Sequence, residues 1–336
     1  MGYLMIKKKF LNVSYSYRSP QKKYNAKFNQ DGEIQMFRRL ADGIASKCNA
    51  VLTPEMHGKG YVKFRTSFGG YRTVEISDLL VICKKKKHIK ISFLQAKKHH
   101  SLSQIGTPFV LDFQADLLQY DLLSNAPNIV STRRKFPFPK NILNFSTTES
   151  LRTYGVFYID ANGDTNMLYS ATSQLYPLSP LPWKIAPKAH PQIQLAYFNK
   201  KSSLMKAEMV NNDCVGAKDV NTYAKELMKF NIGAELILSN PAVVPVAGYI
   251  NTLLNNRLVD INIKLSLSSN HIDKNRYYLE KKIISKILYD CFGQLEVENE
   301  RPIELLAPYG GDGGYPRMLI VDCTDYEENN QNDGEK

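Results

Sequence analysis

The sequence predicts an α/β fold with a mixed sheet and flanking helices, followed by a second, mostly helical α+β part. Three observations carry this. Residues 73–83 (TVEISDLLVIC) and 88–96 (HIKISFLQA) are rich in β-formers and flank a polar break, Lys84-Lys85-Lys86-Lys87. Helical apolar spacing precedes them, at Ile34, Phe37, Leu40, Ala41 and Ile44, and returns after them at Phe113, Leu117, Leu118 and Leu122. The second half then repeats helical patterning with only short strand-like runs between.

Taken in order, residues 1–29 are basic, rich in Tyr, Ser and Asn, and read as an N-terminal arm. Asp31 caps a helix running to about Ser46. Residues 60–67 (GYVKFRTS) alternate apolar and polar as a strand does, and 73–83 with 88–96 form a hairpin. A helix is expected over 112–123, a loop with Arg133-Arg134-Lys135 over 128–146, and an apolar strand over 153–160. Prolines at 177, 180, 182, 187 and 191 mark a linker or a long irregular loop. Helices are expected near 218–230, 242–256 and 275–292, with a strand over 258–267 between the last two. A glycine-rich turn (309–316) leads to the strand MLIVDC, and an acidic tail follows. The expected division is a core over 30–205, an accessory or interaction region over 206–324, and a disordered tail over 325–336.

Composition narrows the function classes. No apolar run approaches the ~20 residues that span a bilayer, and the N-terminus lacks the apolar stretch of a signal peptide. Five scattered cysteines form no CxxC pair, which argues against a zinc site or a disulfide framework. A reduced, cytoplasmic protein is expected. The net charge of +12 is uneven: residues 1–140 hold 25 Lys/Arg against 9 Asp/Glu, residues 141–324 hold 18 of each, and the last twelve are net acidic. A surface so basic suits a polyanion, and nucleic acid is the common one. Lys84–Lys87, Lys98 and Arg133–Lys135 are the expected contacts. Tyr15, Tyr17, Tyr24, Tyr61 and Tyr71 lie among basic residues and raise base stacking as a reading, although core and strand packing explains most tyrosines.

The candidate chemistry lies on the hairpin. With Lys84–Lys87 as the loop, Cys83 pairs with His88 and Asp78 lies opposite Phe93. Residues 93, 95 and 97 then share the face of Asp78, so Gln95 and Lys97 project beside it while Ala96 packs behind. In a continuous strand Glu75 has the opposite parity and points away. An Asp followed by a Gln-x-Lys triplet on the next strand, after an acidic helix, resembles the Asp…Gln-x-Lys variant of the restriction-endonuclease-like (PD-(D/E)xK) nucleases, as in Mrr-like and related defence nucleases. The resemblance covers residues 30–160. It implies a restriction-endonuclease-like core, DNA as substrate, and a role in defence against phage or foreign DNA. It also implies Mg²⁺ or Mn²⁺ held by Asp78, Gln95, the Ala96 carbonyl and Glu33, with Lys97 acting on the attacking water or the developing charge. Asp31 and Asp42 are alternatives to Glu33. A protein partner or homo-oligomer through 206–324 is a further expectation. A non-catalytic nucleic-acid-binding subunit is the competing reading.

Overall fold

The computed structural model describes residues 33–45, 47–53, 60–98, 110–132, 137–159, 165–179, 181, 191–198, 207–267, 271–293 and 316–326. Helix α1 (Glu33–Ala45) forms where its apolar spacing says it should: Met36, Phe37, Leu40, Ala41 and Ile44 make one buried stripe. Four strands follow: β1 (Asn49–Leu52), β2 (Tyr61–Arg65), β3 (Tyr71–Glu75) and β4 (Leu79–Lys85). The run expected as one strand over 73–83 is therefore two, broken at Ile76-Ser77-Asp78. The two pieces belong to different sheets.

Strand β5 (His88–Lys98) pairs antiparallel with β4 in a register that runs from Lys85↔His88 to Leu79↔Leu94. The turn is only Lys86-Lys87, with Lys86 at φ 56°. The four-lysine loop expected from sequence is thus half strand, because Lys84 and Lys85 continue the ladder. Strand β6 (Val110–Asp116) precedes helix α2 (Leu117–Asn125), in place of the single helix expected over 112–123. Asp116 sets that boundary: its carboxylate accepts from the Leu118 and Gln119 N–H groups, capping α2 in extended conformation.

The remaining elements are β7 (Ile129–Ser131), β8 (Arg152–Ile159), β9 (Thr165–Ala171), β10 (Leu175–Pro177), β11 (Gln192–Phe198), β12 (Ala207–Val210) and β13 (Asp213–Ala217). Helix α3 (Val220–Met228), β14 (Ala234–Glu235), α4 (Val244–Leu267), α5 (His271–Phe292) and β15 (Met318–Asp322) complete the described chain. One large mixed sheet runs β1-β15-β4-β5-β8-β9-β13-β12, with β14 also on β5. Strands β15 and β8 lie parallel to their neighbours β4 and β5, and the other pairings are antiparallel. Two three-stranded sheets, β3-β2-β7 and β10-β11-β6, stand apart from it.

Each face of the large sheet has its own core. Leu79, Val81, Leu94 and Ala96 face α1 and α3, while Leu80, Ile82, Ile91 and Phe93 face α2, α4 and the small sheets. The expected boundary at 205/206 does not coincide with a break in the sheet. Strands β12 and β13 extend it, and β15 inserts between β1 and β4. The strand expected over 258–267 is the last part of α4 instead. The alternation Val259, Ile261, Ile263, Leu265 mimics a strand, yet only Ile261 is buried, and Arg257–Asp260 and Asp260–Lys264 pair at helical spacing. The glycine-rich turn over 309–315 and the tail beyond 326 lie outside the described residues. All five cysteines are free thiols, and among the described residues no helix is long and apolar enough to cross a membrane.

Candidate active site

Asp78 sits in the bend between β3 and β4, where the chain passes from the small sheet into the large one. Extending the β4–β5 register by one pair puts it opposite Gln95, not Phe93. The loop is two residues shorter than expected, so every pairing shifts by two. A shift of two preserves side-chain parity, and the shared face of Asp78, Gln95 and Lys97 survives the correction.

The Asp78 carboxylate accepts from the Ala96 N–H at 2.7 Å and, through the same Oδ2, from the Gln95 carboxamide nitrogen. Gln95 is buried, and its Oε1 has no hydrogen-bond partner. Burial raises the Asp78 carboxyl above its ordinary value, against the opposing pull of Lys97, the Ala96 N–H, Arg317 and Gln95. Two residues on, Lys97 donates from Nζ to Gln119 Oε1 at 3.2 Å, on the first turn of α2. Lys97 lines a cleft of about 320 Å³ with Tyr61, Thr73, Glu75, Asp116, Gln119 and Gln192.

Several groups at the site lie beyond what the sequence pattern marks. Tyr154 on β8 is the register partner of Gln95, and its buried hydroxyl also lacks a partner. Burial, then the charges of Asp116 and Asp78, hold that hydroxyl well above the ordinary tyrosine value, so it stays protonated. Arg317 directly precedes β15, and the parallel pairing of β15 with β4 brings its charge to Asp78. Nothing local in the sequence announces a contact 239 residues apart. For Glu75, the break at 76–78 removes the parity argument that turned it away, and it stands at the cleft. Asp116 does carry a readable signal, as an acid just before an apolar helical run.

The other expected residues fall elsewhere. Lys84 is fully buried, with Nζ at 2.9 Å from Asp290 and 3.6 Å from Asp322, so it is no surface contact for a polyanion. Lys85, Lys86 and Lys87 stand at the turn, the far end of β4 from Asp78 and roughly 25 Å away by strand rise. Strand geometry alone keeps them from flanking the cleft. Lys98 pairs with Phe157 and so lies on the face opposite Lys97. Arg133, Arg134 and Lys135 lie outside the described residues, as do Asp31 and the side chain of Glu33. The rest of α1 packs on the sheet face opposite Asp78, and Asp42 is exposed there.

The donor set admits a hard cation at Asp78. The Gln95 carboxamide nitrogen faces the Asp78 carboxylate and lies 3.5 Å from the Ala96 carbonyl, while Oε1 has no partner, so turning the carboxamide over would give the all-oxygen arrangement that Mg²⁺ takes. Among the described residues no three His, Cys, Asp or Glu side chains converge on one point, so water would supply the remaining ligands. Comparison with protein-family models, with curated proteins and with solved structures returned no match.

Proposed function

We propose that the chain is a metal-dependent endonuclease acting on DNA, built around a core of the restriction-endonuclease-like kind. One observation carries the reading: Asp78, Gln95 and Lys97 share a face at the ends of two adjacent strands, with Lys97 turned into a cleft. Phosphodiester hydrolysis needs a charge-neutralising centre, an oriented water and a cation near the phosphate. With the Gln95 carboxamide turned over, Asp78, Gln95 Oε1 and the Ala96 carbonyl would hold Mg²⁺ or Mn²⁺, which when bound lowers the pKa of water and offsets phosphate charge. Lys97 acts on the phosphate or the attacking water. Gln119 positions its ammonium through a neutral hydrogen bond that leaves the full charge available. Tyr154, the buried register partner of Gln95, stands behind the site with a protonated hydroxyl.

The competing reading, a non-catalytic nucleic-acid-binding subunit, is favoured by Gln95 standing where a second carboxylate would bring charge to the metal. Incubation of the purified protein with supercoiled plasmid and Mg²⁺, beside Asp78→Ala, separates the two. Nicking or linearisation that needs both Mg²⁺ and Asp78 supports the nuclease. Nucleic acid retained in EDTA and never cut in Mg²⁺ identifies the binder.

A further inference from the structure

The outer face of the small sheet β3-β2-β7 is unlike that of an ordinary solvated sheet. Inward, Val62, Phe64 and Val74 are buried in the core. Outward, where polar residues are usual, β2 presents Tyr61, Lys63 and Arg65, and β3 presents Tyr71, Thr73 and Glu75. The register pairs them across the strands as Tyr61↔Glu75, Lys63↔Thr73 and Arg65↔Tyr71. Tyr61 is 41% exposed and Tyr71 58%, and the Lys63 ammonium lies 5.3 Å from the centre of the Tyr71 ring. Two exposed rings are thus interleaved with two cations on one sheet face.

That surface leads into the cleft. Tyr61, Thr73 and Glu75 belong both to the outer face and to the lining around Lys97. Tyr71 lies four residues up β3 from Glu75, about 13 Å at strand rise. Cross-strand pairing alone explains why aromatic and basic residues favour such a hairpin. It does not explain why the pairs are aligned with the cleft that holds Lys97.

We infer that this face is a stacking platform for single-stranded nucleic acid, which leads one strand to Lys97. Bases lie on the rings of Tyr71 and Tyr61, because every base has a π-face, and Lys63 and Arg65 meet the phosphates between them. Charge complementarity selects this occupant, since Lys63 and Arg65 against the single carboxylate of Glu75 leave the face net positive, and an apolar protein surface would offer it no counter-charge. The inference rests on the nuclease reading only for what happens at the end of the strand. Binding to the platform needs neither metal nor cleavage.

The test measures binding of a fluorescein-labelled oligothymidylate by anisotropy in EDTA, with a duplex of equal length alongside. In the Tyr61→Thr/Tyr71→Thr pair, binding of the single strand should weaken about 10–100-fold, and Tyr61→Phe/Tyr71→Phe should restore it to within about 3-fold. Threonine keeps a strand-forming side chain, and the thermal midpoint checks the fold. Lys63→Met and Arg65→Met keep the rings and should each lower the slope of log K against log salt by about 0.7. These two variants carry the test should the threonine pair fail to fold. Unchanged single-strand affinity in the folded threonine pair, or unchanged salt slopes in both methionine variants, overturns the platform. Plasmid cleavage by the wild type and Lys97→Met reads the nuclease independently, so either proposal can fall alone.

Discussion

The two ends of the β4–β5 hairpin carry charged groups in opposite states. At the turn end, Lys84 is enclosed by Asp290, Asp322 and the Thr324 hydroxyl, and Lys286 adds a second cation to Asp322 at 2.9 Å. There burial raises the Asp322 carboxyl, but Thr324, Lys286 and Lys84 outweigh it and the net shift is downward. At the other end burial prevails, and Asp78 is shifted upward despite Lys97 and Arg317. One carboxylate is stabilised as an anion and the other is not. A satisfied buried network is what a fold needs, while a carboxylate whose anionic form is held at a cost, beside a lysine that lines a cleft, is a frequent mark of a working site. Lysine content alone points to the wrong end, with Lys84–Lys87 at the turn against Lys97 and Lys98 beside Asp78.

Breaking the satisfied end should have the largest effect on stability. Lys84→Met removes a buried ammonium and takes one cation from both Asp290 and Asp322. Losing one partner of a buried pair costs 3–5 kcal/mol, and about 3 is expected because Asp322 keeps Lys286 and Thr324. Urea denaturation should show a lower midpoint with little change in slope, and nucleic-acid binding by the folded protein should be unaffected. A change in DNA affinity without loss of stability would return Lys84 to the surface role that its sequence context suggests.

Breaking the other end should spare stability and abolish activity. Lys97→Met keeps the aliphatic stem and removes the charge, and cleavage should fall on the order of 10²–10³-fold. Lys98→Met is the control, because Lys98 faces the other side of the sheet. Equal losses in the two variants would mean that the charge serves general binding and not the reacting phosphate.

How much of this is legible in the sequence follows from the range of each signal. Local patterns reveal α1, the hairpin, β8 and the shared face of Asp78, Gln95 and Lys97, because parity along a strand is a short-range property. A wrong loop length leaves that parity intact only because the slip is two residues. Long-range pairing is not legible. Nothing near Met318 says that β15 lies beside β4, and so neither Arg317 at Asp78 nor Asp322 at Lys84 can be foreseen. The division at 205/206 meets the same limit: the prolines at 177–191 suggest a linker, while the large sheet continues through β12 and β13.

A smaller effect tests the sign of the Asp78 shift. Its folded carboxyl lies above the unfolded value of 3.8, so ionised Asp78 opposes folding. The advantage of the protonated form is fully present below the unfolded value and is lost as pH rises through the raised folded one. Asp78→Asn removes that cost at neutral pH, and its side-chain oxygen can still accept from the Ala96 N–H and the Gln95 carboxamide nitrogen. The melting temperature should rise by about 1–3 °C at pH 7, and the gain should vanish near pH 3. Cleavage should be lost. A lower melting temperature at pH 7 would mean that the anion is stabilised in the fold, and the contrast between the two ends would disappear.

The smallest effect is expected at the turn itself, where the sequence shows its densest charge. Lys86 and Lys87 are exposed, and they stand at the end of the hairpin remote from Lys97. Surface substitutions away from caps and strained backbone stay within about 0.5 kcal/mol. Lys86 has a positive φ, so Lys86→Asn is the conservative way to remove its charge, because Asn tolerates that conformation. Lys87→Gln serves at the neighbouring position. The double variant should melt within a degree or two of the wild type and cleave plasmid at the same rate. Its slope of log K against log salt should also be unchanged, whereas the slope falls by about 0.9 for every duplex phosphate that the protein ceases to neutralise. A slope reduced by that amount or more would extend the nucleic-acid surface around the far end of the sheet. The two ends would then differ in burial but not in use.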